Sequence, residues 1–310
     1  MQSPDPVTVR TAPIALFVYN RPQHTRRTVA ALQRNGLAAA SDLYIFSDAA
    51  KSADQEDAVA EVRRLVATIQ GFRSVIVCER SQNLGLAQSI IGGVTALCRE
   101  HGRVIVLEDD IVVAPHFLQF MNQALEIYAD RERIMHISGY MFPIRRRGLP
   151  ETFFYRPTSC WGWATWQRAW QFFEKDIASL DRRMAPQQRQ RFNLDGAHDF
   201  WAQVEGNRSG AMTTWAIFWY ASVFLRDGLC LHPARSLVQN IGHDGSGIHC
   251  GSERHFDTEM ASEPVTHFAA ELAENPLVLR RMRAYYRKHS RPGLLRRLLA
   301  RGRRFWSGRP

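Results

Sequence analysis

The sequence predicts an α/β fold: an open, mostly parallel sheet with helices on both faces, followed by a basic helical tail. Three observations carry that expectation. Four short β-rich runs, at residues 14–19, 43–46, 75–78 and 104–107, begin 29, 32 and 29 residues apart. The segments between them show helical periodicity, and a polar cluster follows each run. Apolar strands alternating with amphipathic helices make a parallel sheet covered on both faces.

The first run, IALFVY, is apolar throughout, as a strand buried on both sides should be, and the loop NRPQH follows with Arg21 readable as a turn residue before Pro22. The second run leads into Ser47 and Asp48. Beyond it Ala58, Val62, Leu65, Val66 and Ile69 recur at helical spacing and mark one buried face. The third run ends in the polar stretch 79–83, after which Ala87, Ile90, Ile91, Val94 and Leu97 repeat the helical pattern. The fourth run meets Glu108, Asp109 and Asp110, and Pro115 then opens a helix whose apolar face is Phe117, Phe120, Met121, Ala124, Leu125 and Tyr128. Residues 12–130 form the first half of the domain, residues 131–275 the second half of the same domain, and residues 276–310 the tail. Within the second half, Trp215, Phe218, Trp219 and Phe224 predict a largely apolar core helix.

In an open parallel sheet the loops after the strands share the carboxyl edge, where ligands bind. Asn20 and Arg21, Ser47 and Asp48, residues 79–83 and the three acids therefore converge. Three adjacent carboxylates repel one another and lose hydration when buried, so they require compensation. No G-x-G-x-x-G follows the first run and no G-x-x-x-x-G-K-[ST] occurs anywhere, which excludes the two common nucleotide cradles. The remaining chemistry suits a nucleotide whose phosphates are neutralised by a divalent cation, Mn²⁺ or Mg²⁺, held by one or two carboxylates. Asp110, just beyond the strand, is the expected metal ligand. Glu108 and Asp109 are expected to face ribose, backbone amides or a metal-bound water, since neighbouring side chains on an extended segment diverge. Capping the following helix needs one acid, and here there are three.

The net charge of +10 is not spread over the chain. From Pro276 onward there are 12 Lys or Arg and no Asp or Glu, which leaves 28 basic against 30 acidic residues elsewhere. That tail interleaves Arg with Leu, Tyr, Phe and Trp, a composition suited to anionic membrane surfaces. A terminal helix packed on its own domain is the plainer reading, and no RNA-binding or zinc-finger signature supports nucleic acid. The five cysteines are scattered without a C-x-x-C pair, so neither a disulfide framework nor a zinc site is indicated and a reducing, cytoplasmic compartment fits. No signal peptide or membrane-spanning segment is expected.

The segments IALFVYNRP, YIFSDAAK, NLGLAQSI and VIVLEDDIVVAPHFLQFM resemble the nucleotide-binding half of GT-A glycosyltransferases, particularly bacterial enzymes related to family 2 and to the N-acetylglucosaminyltransferase I group. The resemblance spans residues 12 to about 130, with EDD in place of the acidic D-x-D-type motif. It implies that Arg21 and Asp48 contact the uracil and ribose of a nucleotide-sugar, that Asn83 and Gly85 line the same pocket, and that Asp110 holds Mn²⁺ or Mg²⁺ on the diphosphate. The stretches 159–173 and 213–250 resemble the same enzymes. There Trp161, Trp163 and Trp166 read either as core or as flat faces for sugar stacking. In NIGHDGSGIHC, glycines surround His243, Asp244 and His249, and either histidine is a candidate to join the metal shell.

These features imply a metal-dependent glycosyltransferase that uses a nucleotide-sugar, most simply a UDP-sugar, with a saccharide or lipid-linked acceptor in bacterial surface polysaccharide or glycolipid synthesis, held at the inner face of the plasma membrane by its tail. An inverting transfer needs a base, which in the N-acetylglucosaminyltransferase I group is an Asp in a Trp-Asp-Asp-Trp-like segment. The counterpart around Thr214, Trp215 and Ala216 has no acid. Asp244, Asp199 and Asp195 are the candidates, Asp244 first because glycines flank it. Two other classes stay open: a nucleotidyltransferase on a similar sheet, for which the first loop lacks the usual glycines, and a non-catalytic membrane- or nucleic-acid-binding protein.

Overall fold

A computed structural model describes residues 11–243 and 254–289. The chain runs from β1 (Ile14–Val18) through α1 (Pro22–Gln33), β2 (Asp42–Ser47), α2 (Glu56–Val66), β3 (Ser74–Glu79) and α3 (Leu86–His101) to β4 (Arg103–Glu108). β5 (Ile111–Val113) and α4 (Phe117–Ile127) follow. The four expected strands form, pair in parallel and lie in the order β3-β2-β1-β4. Period-two burial divides β1 between two cores. Ile14, Leu16 and Val18 pack with α1, α2 and α4, whereas Ala15 and Phe17 pack with α3. Each fully buried Leu, Ile or Phe contributes about 1.5–3 kcal/mol, and that burial on both sides is why these strands are apolar without interruption.

Arg21, readable in the sequence as a turn residue, occupies the N-cap position of α1, which is opened at its first turn by Pro22. Its missing N–H is harmless there, and the helix buries Thr25, Thr28, Val29, Ala31 and Leu32.

The second half extends the same sheet. It contains β6 (Ile134–Ser138), β7 (Thr152–Tyr155), β8 (Trp163–Trp166), α5 (Gln167–Trp170), α6 (Ile177–Arg183), α7 (Pro186–Phe192), α8 (Trp201–Arg208), α9 (Ala216–Phe224), β9 (Leu229–Pro233), β10 (Val238–Asn240) and α10 (Pro276–His289). β8 runs antiparallel to β4 and to β6, β9 is parallel to β6, and β7 closes the edge antiparallel to β9, giving the order β3-β2-β1-β4-β8-β6-β9-β7. β6 and β9 therefore point the same way as β4 and share its carboxyl edge. The tryptophans settle mostly in the core: Trp163, Trp166 and Trp219 are buried, as is all of α9 from Ile217 to Phe224. Trp161, half-buried at the carboxyl edge, is the exception among the described residues.

Arg156, just beyond β7, is buried and clamped by Glu274. Its Nε donates to Oε1 at 2.8 Å and its Nη2 to Oε2 at 2.7 Å, a fork that satisfies a buried charge. In α10, Val278 and Met282 join Met141, Phe153 and Tyr155, so this part of the expected membrane tail turns its apolar side into its own domain. The rest of that tail, residues 290–310, lies outside the described residues. Among the described residues no helix is long and apolar enough to cross a membrane.

Candidate active site

The acids sit where β4 ends. Glu108 closes the strand, Asp109 and Asp110 form the turn, and β5 leaves to pair antiparallel with β10, with Asn240 opposite Ile111. This ribbon brings a segment more than a hundred residues away in sequence to the turn: the Ile241 N–H donates to the Asp110 carbonyl at 2.9 Å. From the other side, Thr28 Oγ1 donates to the Asp109 carbonyl at 2.8 Å, tying the turn to α1. Arg21, at the entry to α1, donates from Nη1 to Asp110 Oδ2 at 2.7 Å and lies 3.8 Å from Asp109 Oδ1. Gly242 lies against this pair, and a Cβ built there would fall 2.1 Å from Asp110 Oδ2. Only glycine fits.

Among the described residues one guanidinium faces three carboxylates and does not balance them. Burial, the neighbouring Asp110 and Asp109 hold the Glu108 carboxyl well above the ordinary carboxylate range, with Arg21 opposing. Burial and Asp110 push Asp109 to about 7 despite Arg21 and a hydrogen bond from the Tyr19 backbone. Such shifts are those of a cluster short of positive charge. Both ring nitrogens of His243, one residue past Gly242, are buried without a hydrogen-bond partner, with the ring against Trp161 and Phe256. Carboxylate oxygens and an unpartnered imidazole are a donor set that fits a hard or borderline divalent cation. Among the described residues, however, no three His, Cys, Asp or Glu side chains are grouped to hold a metal ion. The arrangement suits a cation bound by one or two carboxylates and completed by phosphate oxygens, and an all-protein cage is not formed. His249, the other expected histidine, lies outside the described residues.

Asp48, Asn83 and Gly85 do come together, bonded to one another's loops. Asp48 Oδ1 accepts from the N–H groups of Ala49 at 3.0 Å and Leu84 at 2.9 Å, and Oδ2 accepts from Gly85 at 2.8 Å. Asn83 Nδ2 donates to the Ala49 carbonyl at 2.7 Å. Gly85 opens α3 with φ of +74°, which a side chain would resist. The buried carboxylate of Asp48 thus braces the loops after β2 and β3 into one rim.

The catalytic candidates diverge. Asp195 is held by Arg156, at 3.7 Å, and by Arg283. Arg156 follows β7, four strands from β4, or roughly 19 Å at about 4.8 Å per strand. Asp199 accepts from Asn193 Nδ2 at 2.9 Å and from the Ala202 N–H at 3.2 Å, holding the start of α8. Asp195 is thus tied to the far side of the sheet from the β4 turn, where a base must reach its proton, and Asp199 is engaged at the start of α8. Asp244 lies outside the described residues. Sequence reasoning missed Thr28, whose hydroxyl meets a backbone carbonyl, and Tyr19, which reaches Asp109 through its own backbone; neither leaves a motif.

A parallel half-sheet, an antiparallel β8 inserted beside β4, and acids at the end of β4 make a mixed α/β architecture built on one large central sheet. No protein-family model matches the chain, and no curated protein matches it. Among solved structures it is similar to the mannosyltransferase PcManGT from Pyrobaculum calidifontis in complex with GDP-Man and Mn²⁺, at 11% identity, covering 71% of this chain and 71% of that one with a TM-score of 0.38. It is similar to UDP-glucose pyrophosphorylase complexed with UDP-glucose, at 11% identity over 72% of this chain and 90% of that one, TM-score 0.36. S. aureus TarS shares 12% identity over 45% of this chain and 23% of that one, TM-score 0.29.

Proposed function

We propose that this protein is a metal-dependent glycosyltransferase that takes a sugar from a nucleotide-sugar, with uridine as the nucleoside, and passes it to a saccharide or lipid-linked acceptor. The observation that carries this reading is the under-neutralised acid turn at the carboxyl edge beside β1: three carboxylates, one guanidinium, and two pKa values driven up by burial and mutual repulsion. Asp110 and Asp109 would hold the cation. The chemistry a divalent cation would supply there is neutralisation of the charge that grows on a departing diphosphate.

The chain's own residues supply the rest. Arg21 brings a second positive charge to the same edge. The rim braced by Asp48, Asn83 and Gly85 shapes the side toward β2 and β3 on which a nucleoside would rest. Trp161 offers a flat apolar face toward the second half. The acceptor hydroxyl oxygen attacks the anomeric carbon as the bond to the diphosphate breaks, and its proton passes to a carboxylate. Asp244, two residues beyond Gly242, is our assignment for that base. Residues 290–310 hold the protein at an anionic membrane surface.

Calorimetry with UDP tests the reading. UDP is expected to bind far more tightly with Mn²⁺ than without it. Equal affinity in both conditions would sink the proposal.

A further inference from the structure

Resting on that transferase reading, we propose that the acceptor carries a phosphoryl group, bound by Arg145 and Arg235 in a subsite on the same sheet edge as the acid turn. Placement comes first. β6 and β9 run parallel to β4, so the segments that follow them, residues 139–151 and residues 234–237, emerge at the carboxyl edge. A depression of about 350 Å³ lies between them, lined by Phe142, Ile144, Arg145, Arg146, Arg235 and Glu259 among others. β6 and β9 lie two and three strands from β4, roughly 10–14 Å, which leaves room for saccharide between the two charged sites.

The charge is uncommitted. Arg146 is paired with Glu259 at 3.1 Å, but the exposed guanidinium groups of Arg145 and Arg235 make no ion pair or hydrogen bond among the described residues. A contrast comes from the amino edge. There a cavity of about 210 Å³ is also lined by arginines, yet Arg133 and Arg191 are paired with Asp227, and Arg156 with Glu274. Those arginines are structural, while the pair at the carboxyl edge is available to a ligand.

The loop is also built to hold its shape. Arg281 of α10 donates to the carbonyls of Arg145 at 2.6 Å and Arg147 at 2.8 Å, fixing the backbone and leaving the Arg145 side chain outward. Phe142 anchors its start against Tyr140, Tyr285 and Tyr286. Planar guanidinium forks on a fixed loop match phosphate oxygens two at a time, which selects phosphoryl over neutral sugar. A lipid carrier and a soluble sugar phosphate both present that group.

The test uses the full chain as wild type, as R145A/R235A and as Asp110→Asn. Inorganic pyrophosphate is titrated without metal. Wild type and Asp110→Asn should bind it alike, and the double variant should bind it about tenfold or more weakly. Undiminished binding by the double variant, or loss in Asp110→Asn alone, overturns the subsite. UDP with Mn²⁺ is titrated in parallel and should bind wild type and the double variant equally. Failure there removes the transferase reading and leaves the pyrophosphate result to stand or fall separately. Sedimentation with phosphatidylglycerol and with phosphatidylcholine vesicles separates the sources. Arginine-dependent binding to the former supports a lipid-borne phosphoryl group, and arginine-dependent binding of pyrophosphate alone supports a soluble one.

Discussion

Asp110→Asn distinguishes an acid kept for a ligand from one kept for the fold. The amide preserves shape and still accepts from Arg21 Nη1, now 2.7 Å from Oδ2, but removes one negative charge. At an effective dielectric of about 20, unit charges 4 Å apart interact by about 4 kcal/mol. Asp110 gains one such attraction from Arg21 and suffers repulsion from Glu108 and Asp109, so the terms offset and the apo fold should change by no more than about 1 kcal/mol. A structural buried ion pair that loses a partner costs about 3–5 kcal/mol instead. The effect on ligand should be large. At a hundredfold excess over its dissociation constant, a ligand adds about 2.7 kcal/mol to stability. Urea titration of wild type with Mn²⁺ and UDP should show a gain of that order, and the variant almost none. An apo destabilisation above about 3 kcal/mol, or a ligand gain equal to that of wild type, would refute the reasoning.

Gly242→Ala should disturb the same turn from the opposite side, because its Cβ would overlap Asp110 Oδ2. We expect a stability loss of about 1–3 kcal/mol and weakened UDP–Mn²⁺ binding by calorimetry. Glu274→Gln removes the nearer, two-pronged counter-charge of the buried Arg156 and leaves only Asp195 at 3.7 Å, which should lower the unfolding free energy in urea by about 3 kcal/mol, a drop below 1 kcal/mol being contrary. His136 is fully buried, accepts from Trp219 Nε1 at 3.0 Å, and is pushed to about 3 by burial. In the unfolded chain it titrates near 6.5, so its neutral-state contribution is complete above that pH and fades as pH falls toward 3. The stability difference between wild type and His136→Asn should therefore shrink by about 1.4 kcal/mol per unit between pH 6 and 4.5, and a constant difference would contradict the burial argument.

The strands were legible because burial on both faces writes itself as uninterrupted apolar runs. Ile14, Leu16 and Val18 serve one core, and Ala15 and Phe17 the other. The α/β alternation called for a helix after β1, but its face was not legible, because the inward side uses Thr25 and Thr28, whose hydroxyls donate to the carbonyls of Arg21 and Asp109 and blur the apolar period. The acid turn was visible as a charge anomaly and Arg21 was placed on the same edge, yet their direct pairing was not legible. The Arg21 to Asp110 pair spans 89 residues, and the pairing of β5 with β10 depends on a sheet that only the fold assembles. The resemblance placed Asp48, Asn83 and Gly85 around one pocket, but it gave no sign that both Asp48 carboxylate oxygens accept from loop amides and so join the loops after β2 and β3. Asp195 looked available in sequence, and Arg283, 88 positions later, could not be foreseen as its partner.

The ribbon of β5 and β10 makes the Ile241 amide a natural gauge of events at the acid turn. Its hydrogen is lodged on the carbonyl of the residue whose carboxylate would meet a cation, so any strain in the turn registers at a single peptide group. Amide exchange at Ile241, followed as Mn²⁺ and then UDP are added, reads out occupancy without labels or substrate, and would do so even in a variant that has lost turnover.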